Sequence, residues 1–317
     1  MCGMNPWVSV IVPVYNDPAG LRDTLVWLVA QDFPETQFEV IVADNGSTDA
    51  TRELAAYFAT EHPGTVRVVV EDRIRSSYAA RNAGIRASSG EVLCFRDADM
   101  TVDTDWVSSV ARLFVADGPD YVGFRVDIVA DRNTLAALYN RMTGFPVERY
   151  IREDAFAPTC CLAVRREVID RVGCFDHRLV SSGDKEFGNR VKGAGFHLDY
   201  EPGIVMRHPA RATMSLLLRK SYRIGKGQRR LSVLHPQQTR QPSRSRQLPG
   251  TFWRAVLALS PWRFVQAHRG SAVWHEAGWV ARAGMYGLRW LCMLSYSVGW
   301  LDELLKRRGR TGGGMKG

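Results

Sequence analysis

The feature that most constrains this chain is a rhythm over residues 8–99. Apolar, β-branched runs alternate there with stretches of helical periodicity. The runs are "VSVIVPVY" (8–15), "FEVIVAD" (38–44), "VRVVVED" (66–72) and "GEVLCFRDAD" (90–99). Between them, residues 18–32 place Leu21, Leu25, Leu28 and Val29 on one helical face. "STDATRELAAYFATEH" (47–62) opens on a Ser47–Thr48–Asp49 capping cluster, and "SSYAARNAGIRAS" (76–88) reads as a third helix. Runs that are apolar at every position are buried on both faces, and strand–helix alternation predicts a parallel sheet covered by helices. Such sheets bind ligands outside the carboxyl ends of their strands. Asp44 and Asp97 close two of the runs and so share that edge.

Beyond residue 105 the rhythm changes. A helix is predicted after Asp103 or Thr104, strands at 120–129 and 160–165, and a helix over 183–196 that ends near Gly193 or Gly195. The polar, basic, Pro-containing segment "HPQQTRQPSRSRQLPG" (235–250) reads as a mobile loop or linker. At 317 residues the chain can form one large domain or two. Lys and Arg outnumber Asp and Glu by 42 to 33, a net charge of +9. From Arg207 to Arg246 there are eleven Arg or Lys and no acid. That block suits phosphate-rich partners or anionic membrane, or is simply a solvated basic face. The six cysteines include no C-x-x-C pair, so a zinc site is not expected, and they read as reduced thiols in a cytosolic compartment. The stretch "MCGMNPWVSVIVPVYN" does not read as a signal peptide.

Four motifs carry chemistry. In "DNGSTD" (44–49), Asp44 either forms a turn or accepts hydrogen bonds from a base or ribose. In "CFRDADM" (94–100), Asp97 and Asp99 stand two apart. On an extended segment they point the same way, so they can converge on one hard cation, and a diphosphate leaving group needs such a counter-charge. Asp184 in "SSGDKEFGNRVKGAGF" is either a helix-start carboxylate favoured by the macrodipole or a general base. His208, in "MRHPARATMSLLLRKSYRIGKGQRR", is either a loop residue or a ligand.

Taken in order, "VSVIVPVYN", "VADNGSTDAT", "AARNAGIRASSGEVLCFRDADM", "LAVRREVIDRVGCFD", "SGDKEFGNRV" and "RHP" resemble the family 2 glycosyltransferases over residues 7–230. The resemblance implies the GT-A fold: a Rossmann-like, mostly parallel sheet sandwiched by helices, here with a C-terminal helical extension. It implies an inverting, non-processive enzyme that uses a nucleotide-diphospho sugar, a UDP- or GDP-sugar. By position it implies that Asp44 contacts the nucleobase and that Pro13, Val14, Tyr15 and Arg81 line the nucleotide. It further implies that Asp97 and Asp99 bind Mn²⁺ or Mg²⁺, that His208 approaches the metal or diphosphate, and that Asp184 is the base. Two positions depart from the family pattern. Gly183 stands where many relatives have Glu, and Arg96 stands where small or hydroxyl residues are usual.

The expected layout is a catalytic domain over 1–230 (nucleotide half 1–100, acceptor half 101–230) and a linker over 231–250. A helical extension follows over 251–305, then a disordered tail over 306–317. Two enzymatic alternatives fit less well. A processive polysaccharide synthase would carry Q-x-x-R-W, which neither "GKGQRRL" nor "GLRW" supplies. A nucleotidyltransferase would carry a Gly-rich loop where "PVYNDPAG" stands. No nucleic-acid-binding module is recognisable. In the extension, Arg282 and Arg289 interrupt the apolar stretch and the run from Trp290 to Leu301 is too short to span a bilayer. The two arginines share one helix face, as an interfacial helix would place them, and Trp253, Trp262, Trp274, Trp279, Trp290 and Trp300 are candidate headgroup anchors. Packing against the core or a second subunit is the competing reading. The expected partners are therefore a saccharide or lipid-linked acceptor and a peripheral contact with the inner face of the membrane.

Overall fold

The computed structural model describes residues 8–115, 118–240 and 260–311. The expected loop over 241–250, residues 251–259 with Trp253, and residues 1–7 and 312–317 lie outside them.

The predicted strands and helices alternate as β1 (Val8–Val14), α1 (Pro18–Val29), β2 (Phe38–Asp44), α2 (Thr51–Glu61), β3 (Val66–Val70), α3 (Ser77–Ala87) and β4 (Val92–Phe95). Then follow β5 (Thr101–Val102), α4 (Trp106–Leu113), β6 (Tyr121–Val129), α5 (Leu135–Thr143), α6 (Val147–Asp154), β7 (Leu162–Arg165), α7 (Arg166–Val172), α8 (Gly183–Gly193) and β8 (Leu198–Pro209). The C-terminal helices are α9 (Met214–Leu234), α10 (Pro236–Arg240), α11 (Pro261–His268), α12 (Ala272–Glu276) and α13 (Trp279–Thr311).

All eight strands form one sheet in the order β3-β2-β1-β4-β7-β6-β8-β5. The first four are parallel, with Val8 opposite Phe38 and Val14 opposite Asp44. From β7 onward the pairing is antiparallel at β4–β7, β6–β7 and β5–β8. The sheet is therefore mixed rather than mostly parallel. The apolar runs before residue 96 dictate the parallel half. The antiparallel half pairs strands far apart in sequence, with α5 and α6 lying between β6 and β7 and most of the acceptor half between β5 and β8.

β1 is the topological switch point, with β2 on one side and β4 on the other. Its ladder with β4 stops at Ile11 opposite Phe95, while its ladder with β2 runs on to Val14. Pro13 thus lies past the β4 ladder, where a missing N–H is tolerated. Beyond Ile11 the carboxyl end of β1 therefore has ladder pairing with β2 alone. The opposite edge is closed by Glu39, buried near the start of β2. It accepts bonds from Ser9 Oγ (2.7 Å), Ser89 N (2.6 Å), Ser89 Oγ (2.8 Å) and Arg67 (2.6 Å).

Two compact units emerge. One comprises Met1–Asp127, Phe145–Leu179 and Gly183–His208, and the other Ile128–Gly144, Val180–Ser182 and Pro209–Gly317. In the second, Tyr139, Leu217, Phe264, Trp274, Met285 and Leu288 are part of a buried apolar cluster. α9 and α13 pack where each has a glycine. A Cβ on Gly225 would lie 2.0 Å from the Tyr296 carbonyl oxygen, and one on Gly299 would lie 2.1 Å from that of Tyr222. Ionic contacts between the two include Arg230 to Glu303 (2.8 Å) and Lys226 to Asp302 (3.5 Å).

Three expectations change. Of the residues taken as linker, 231–234 and 236–240 are helical, and so is the tail from 306 to Thr311, where Lys306 pairs with Asp302 one turn back (3.1 Å). The N-cap of α2 is Ala50, and of the Ser47–Thr48–Asp49 cluster only Asp49 serves the helix start, accepting from the Thr51 N–H (3.0 Å). Ser47 and Thr48 instead bond Asn16, a non-glycine residue at φ 49° whose turn needs those partners. Arg282 and Arg289 do share a face, but it is the packed one. Arg282 lies over Trp274 (5.3 Å) and donates to its carbonyl (2.9 Å), and Arg289 lies over Phe264 (5.9 Å).

Candidate active site

Every expected site residue belongs to the first unit. Pro13 and Val14 end β1, paired with Ala43 and Asp44 of β2. Tyr15 follows, half exposed, with the Arg75 guanidinium 5.1 Å from its ring centroid and bonded to its hydroxyl.

Asp44 is fully buried. Its oxygens accept from Ser47 N (3.1 and 3.3 Å) and from the Arg52 fork at Nε (3.1 Å) and Nη2 (2.8 Å). Burial raises its pKa, but the bonds from Ser47 and Arg52 outweigh burial, and the net direction is down. What this position offers to solvent is therefore the half-exposed Arg52, which the sequence reading did not single out.

Asp97 and Asp99 lie past the end of β4, which stops at Phe95, in a turn rather than on an extended strand. The geometric reason given for their convergence is thus corrected: the turn brings them together, not strand pleating. Arg96 shapes that turn. It is fully buried and faces Trp106 (5.7 Å), and its Nη2 donates to the Met100 carbonyl four residues on. Burial pulls the guanidinium down to about 9, against the pull of the Asp99 and Asp97 carboxylates. The unusual residue before the acidic pair is thus an internal cation beneath it.

Arg81, buried on α3, donates from Nη2 to Asp97. His208, at the end of β8, lies 3.9 Å from Asp99 and 5.6 Å from the Phe145 ring centroid. One ligand atom each of Asp97, Asp99 and His208 lies within 4.8 Å of the others. Metal–ligand distances run about 2.0–2.6 Å. Two carboxylates and an imidazole at this separation therefore fit one divalent cation, and both acids keep an open side toward solvent, at 41% and 37% side-chain exposure.

Asp184 stands in the first turn of α8, where aligned peptide dipoles favour a carboxylate. Its neighbour Lys185 pairs with Asp154 (2.5 Å). The backbone N–H of Gly183 (2.9 Å) and that of Asp184 (3.4 Å) both donate to the Tyr78 hydroxyl. Tyr78 was also missed from sequence, because nothing local to "SSYAARN" announces a contact with a segment more than a hundred residues away.

Residues 9–173 match the family described as Glycosyl transferase family 2. The chain is 32% identical over 311 residues to the glycosyltransferase AglE of Haloferax volcanii, an alignment covering 95% of this chain and 97% of that protein. It is 25% identical to the probable glycosyltransferase YdaM of Bacillus subtilis over 70% of this chain and 55% of that longer protein. Among solved structures, the mannosyltransferase PcManGT of Pyrobaculum calidifontis superposes with a TM-score of 0.60 at 22% identity, over 95% of this chain and 88% of that one. The first 349 residues of S. aureus TarS superpose with a TM-score of 0.51 at 17% identity, over 95% and 92%. At those identities the structural likeness is one of fold.

Proposed function

The chain belongs to glycosyl transferase family 2 and is a glycosyltransferase. From that premise we propose a metal-dependent, inverting, non-processive transfer of one sugar from a UDP- or GDP-sugar to an acceptor hydroxyl. The observation that carries this reading is the Asp97–Asp99–His208 cluster at the carboxyl edge of the sheet, beside the switch point between β1 and β4. The PcManGT structure, whose complex holds GDP-Man and Mn²⁺, and the TarS structure with UDP-GlcNAc support it by analogy of fold.

Asp97, Asp99 and His208 would hold the Mn²⁺ or Mg²⁺ ion, whose chemistry when bound is to neutralise charge on the departing diphosphate. Arg81 holds Asp97 in place. Pro13, Val14, Tyr15 and Asp44, the last through Arg52, border the nucleotide. Asp184 removes the proton of the acceptor hydroxyl. The oxygen attacks the anomeric carbon from the face opposite the diphosphate, the bonding pair of the broken C–O bond leaves with the diphosphate, and configuration inverts. The acceptor is a saccharide or a lipid-linked glycan presented at the cytoplasmic face of a membrane. The free thiols among the described residues suit a reducing compartment.

The test is Asp184→Asn, assayed by nucleoside diphosphate release from GDP-mannose and UDP-GlcNAc with Mn²⁺. The variant should bind the nucleoside diphosphate as the wild type does and lose on the order of 10²–10⁴-fold in turnover. Collapse of nucleotide affinity with turnover of bound donor retained would make Asp184 a binding residue instead.

A further inference from the structure

The residue preceding Asp184 decides whether a side chain can stand beside the base. This chain has Gly183 there, and the structure shows that nothing larger fits. A Cβ at Gly183 would lie 2.7 Å from two carbons of the Tyr78 ring. Tyr78 itself is buried on α3, and its ring stacks on Phe175 (5.8 Å, 30°). Its hydroxyl reaches the start of α8 and accepts from the Gly183 and Asp184 amides at 2.9 and 3.4 Å. The first N–H groups of a helix have no partner within it. A side chain from another element therefore fixes the start of α8 and with it the Asp184 backbone.

The same ring has a second role. The Arg81 guanidinium lies 5.9 Å from its centroid, and Arg81 in turn holds Asp97. One side chain thus touches both the helix start that presents Asp184 and the arginine that orients the acid on the leaving-group side. Burial, and then the Asp184 charge, push the Tyr78 hydroxyl far above the ordinary tyrosine range, so it stays a neutral phenol with a proton of its own to donate.

We propose that Tyr78 is the positioning residue for Asp184, fixing the base from α3 in place of a side chain at position 183. This rests on the reading of Asp184 as the base. A displacement of about 1 Å in a reacting group costs on the order of 10²-fold in rate, so a partial shift should cost roughly 10- to 100-fold.

The experiment uses full-length Tyr78→Phe, which keeps the ring and its stacking. It reads nucleoside diphosphate release from GDP-mannose and UDP-GlcNAc with water as acceptor, GDP and UDP affinity, and backbone amide exchange over residues 182–187. Turnover should fall roughly 10- to 100-fold, while KM for donor and nucleotide affinity stay within about twofold and exchange quickens only at the start of α8. Gly183→Ala, which pushes the ring without deleting the hydroxyl, should give the same kcat-selective loss. Tyr78→Phe with wild-type kcat, or with a loss confined to KM, overturns the proposal. Asp184→Asn in the same assay separates the two readings. If it retains wild-type kcat, the base assignment fails and this proposal with it. If it is inactive while Tyr78→Phe is unaffected, only the role of Tyr78 falls.

Discussion

Asp99 is the residue on which the metal reading can be tested most cleanly. Its carboxylate is partly exposed at the sheet edge and faces His208, so removing its charge disturbs no buried apolar contact. Asp99→Asn should stay folded, with a melting temperature lowered only as far as the buried Arg96 loses one of its two carboxylate counter-charges, and should weaken Mn²⁺ binding by about tenfold or more and remove most turnover. Isothermal titration with Mn²⁺ in the presence of nucleoside diphosphate measures the first effect, and diphosphate release measures the second. Unchanged turnover in this variant, or full wild-type activity in EDTA, removes the metal from the reaction. At this scale the sequence exposed the acids but not what surrounds them. Asp97 and Asp99 were visible as a pair, yet β4 ends too early for strand alternation to aim them. The cause of their convergence, Arg96 drawing the Met100 carbonyl back, involves a residue whose burial no local pattern reveals. Tyr78 and Arg52 were invisible for a related reason. Each matters through a partner on another element, and periodicity reports only neighbours along one element.

Among elements, the parallel strands were the most legible, because a strand buried on both faces has to be apolar at nearly every position. Glu39 breaks that rule within β2, and its physical chemistry predicts a pH dependence. Burial raises its pKa, the bonds from Ser89, Ser9 and Arg67 lower it, and the net folded value lies below the ordinary 4.5. A carboxyl depressed in the folded state adds stability above its unfolded pKa, and that stability is lost as pH falls through the folded value. Glu39→Gln should therefore lower the melting temperature at about pH 7 and show a shallower further loss between about pH 5 and pH 3 than the wild type. Scanning calorimetry across that range decides it, and parallel acid limbs in the two proteins would show that Glu39 titrates alike folded and unfolded. The helices were less legible. The spacing of Arg282 and Arg289 gave their common face correctly but not its direction. Nothing in a repeat of seven says whether a guanidinium meets solvent or the ring of Trp274.

For the molecule as a whole, that reversal leaves α13 with an unusual outer surface. The exposed positions from Trp279 to Leu305 are Trp279, Val280, Ala283, Gly287, Trp290, Leu291, Leu294, Ser297, Val298, Leu301 and Leu305, and none carries a charge. Trp279 is 81% exposed, Leu294 63% and Leu305 64%. Of the other candidate anchors, Trp262 is also open, whereas Trp274 is buried and Trp300 lies under Arg229 (5.0 Å). At about 1.5 Å per residue this chargeless strip is roughly 39 Å long. No helix among the described residues is long and apolar enough to cross a membrane, so the strip would lie along a surface rather than through one. Burying half-exposed aliphatic side chains is worth on the order of 1 kcal/mol each, so the leucines and valines of the strip favour a lipid surface by several. The net charge of +9 adds attraction to anionic headgroups. Full-length protein should therefore co-sediment with vesicles rich in phosphatidylglycerol and much less with phosphatidylcholine alone. Leu294→Glu with Leu301→Glu should reduce that partitioning by about tenfold or more without lowering the melting temperature, because both side chains already face outward. If the wild type ignores anionic vesicles and instead runs as a dimer that the same double substitution splits, the strip is the seam between two copies. The acceptor then need not be membrane-bound.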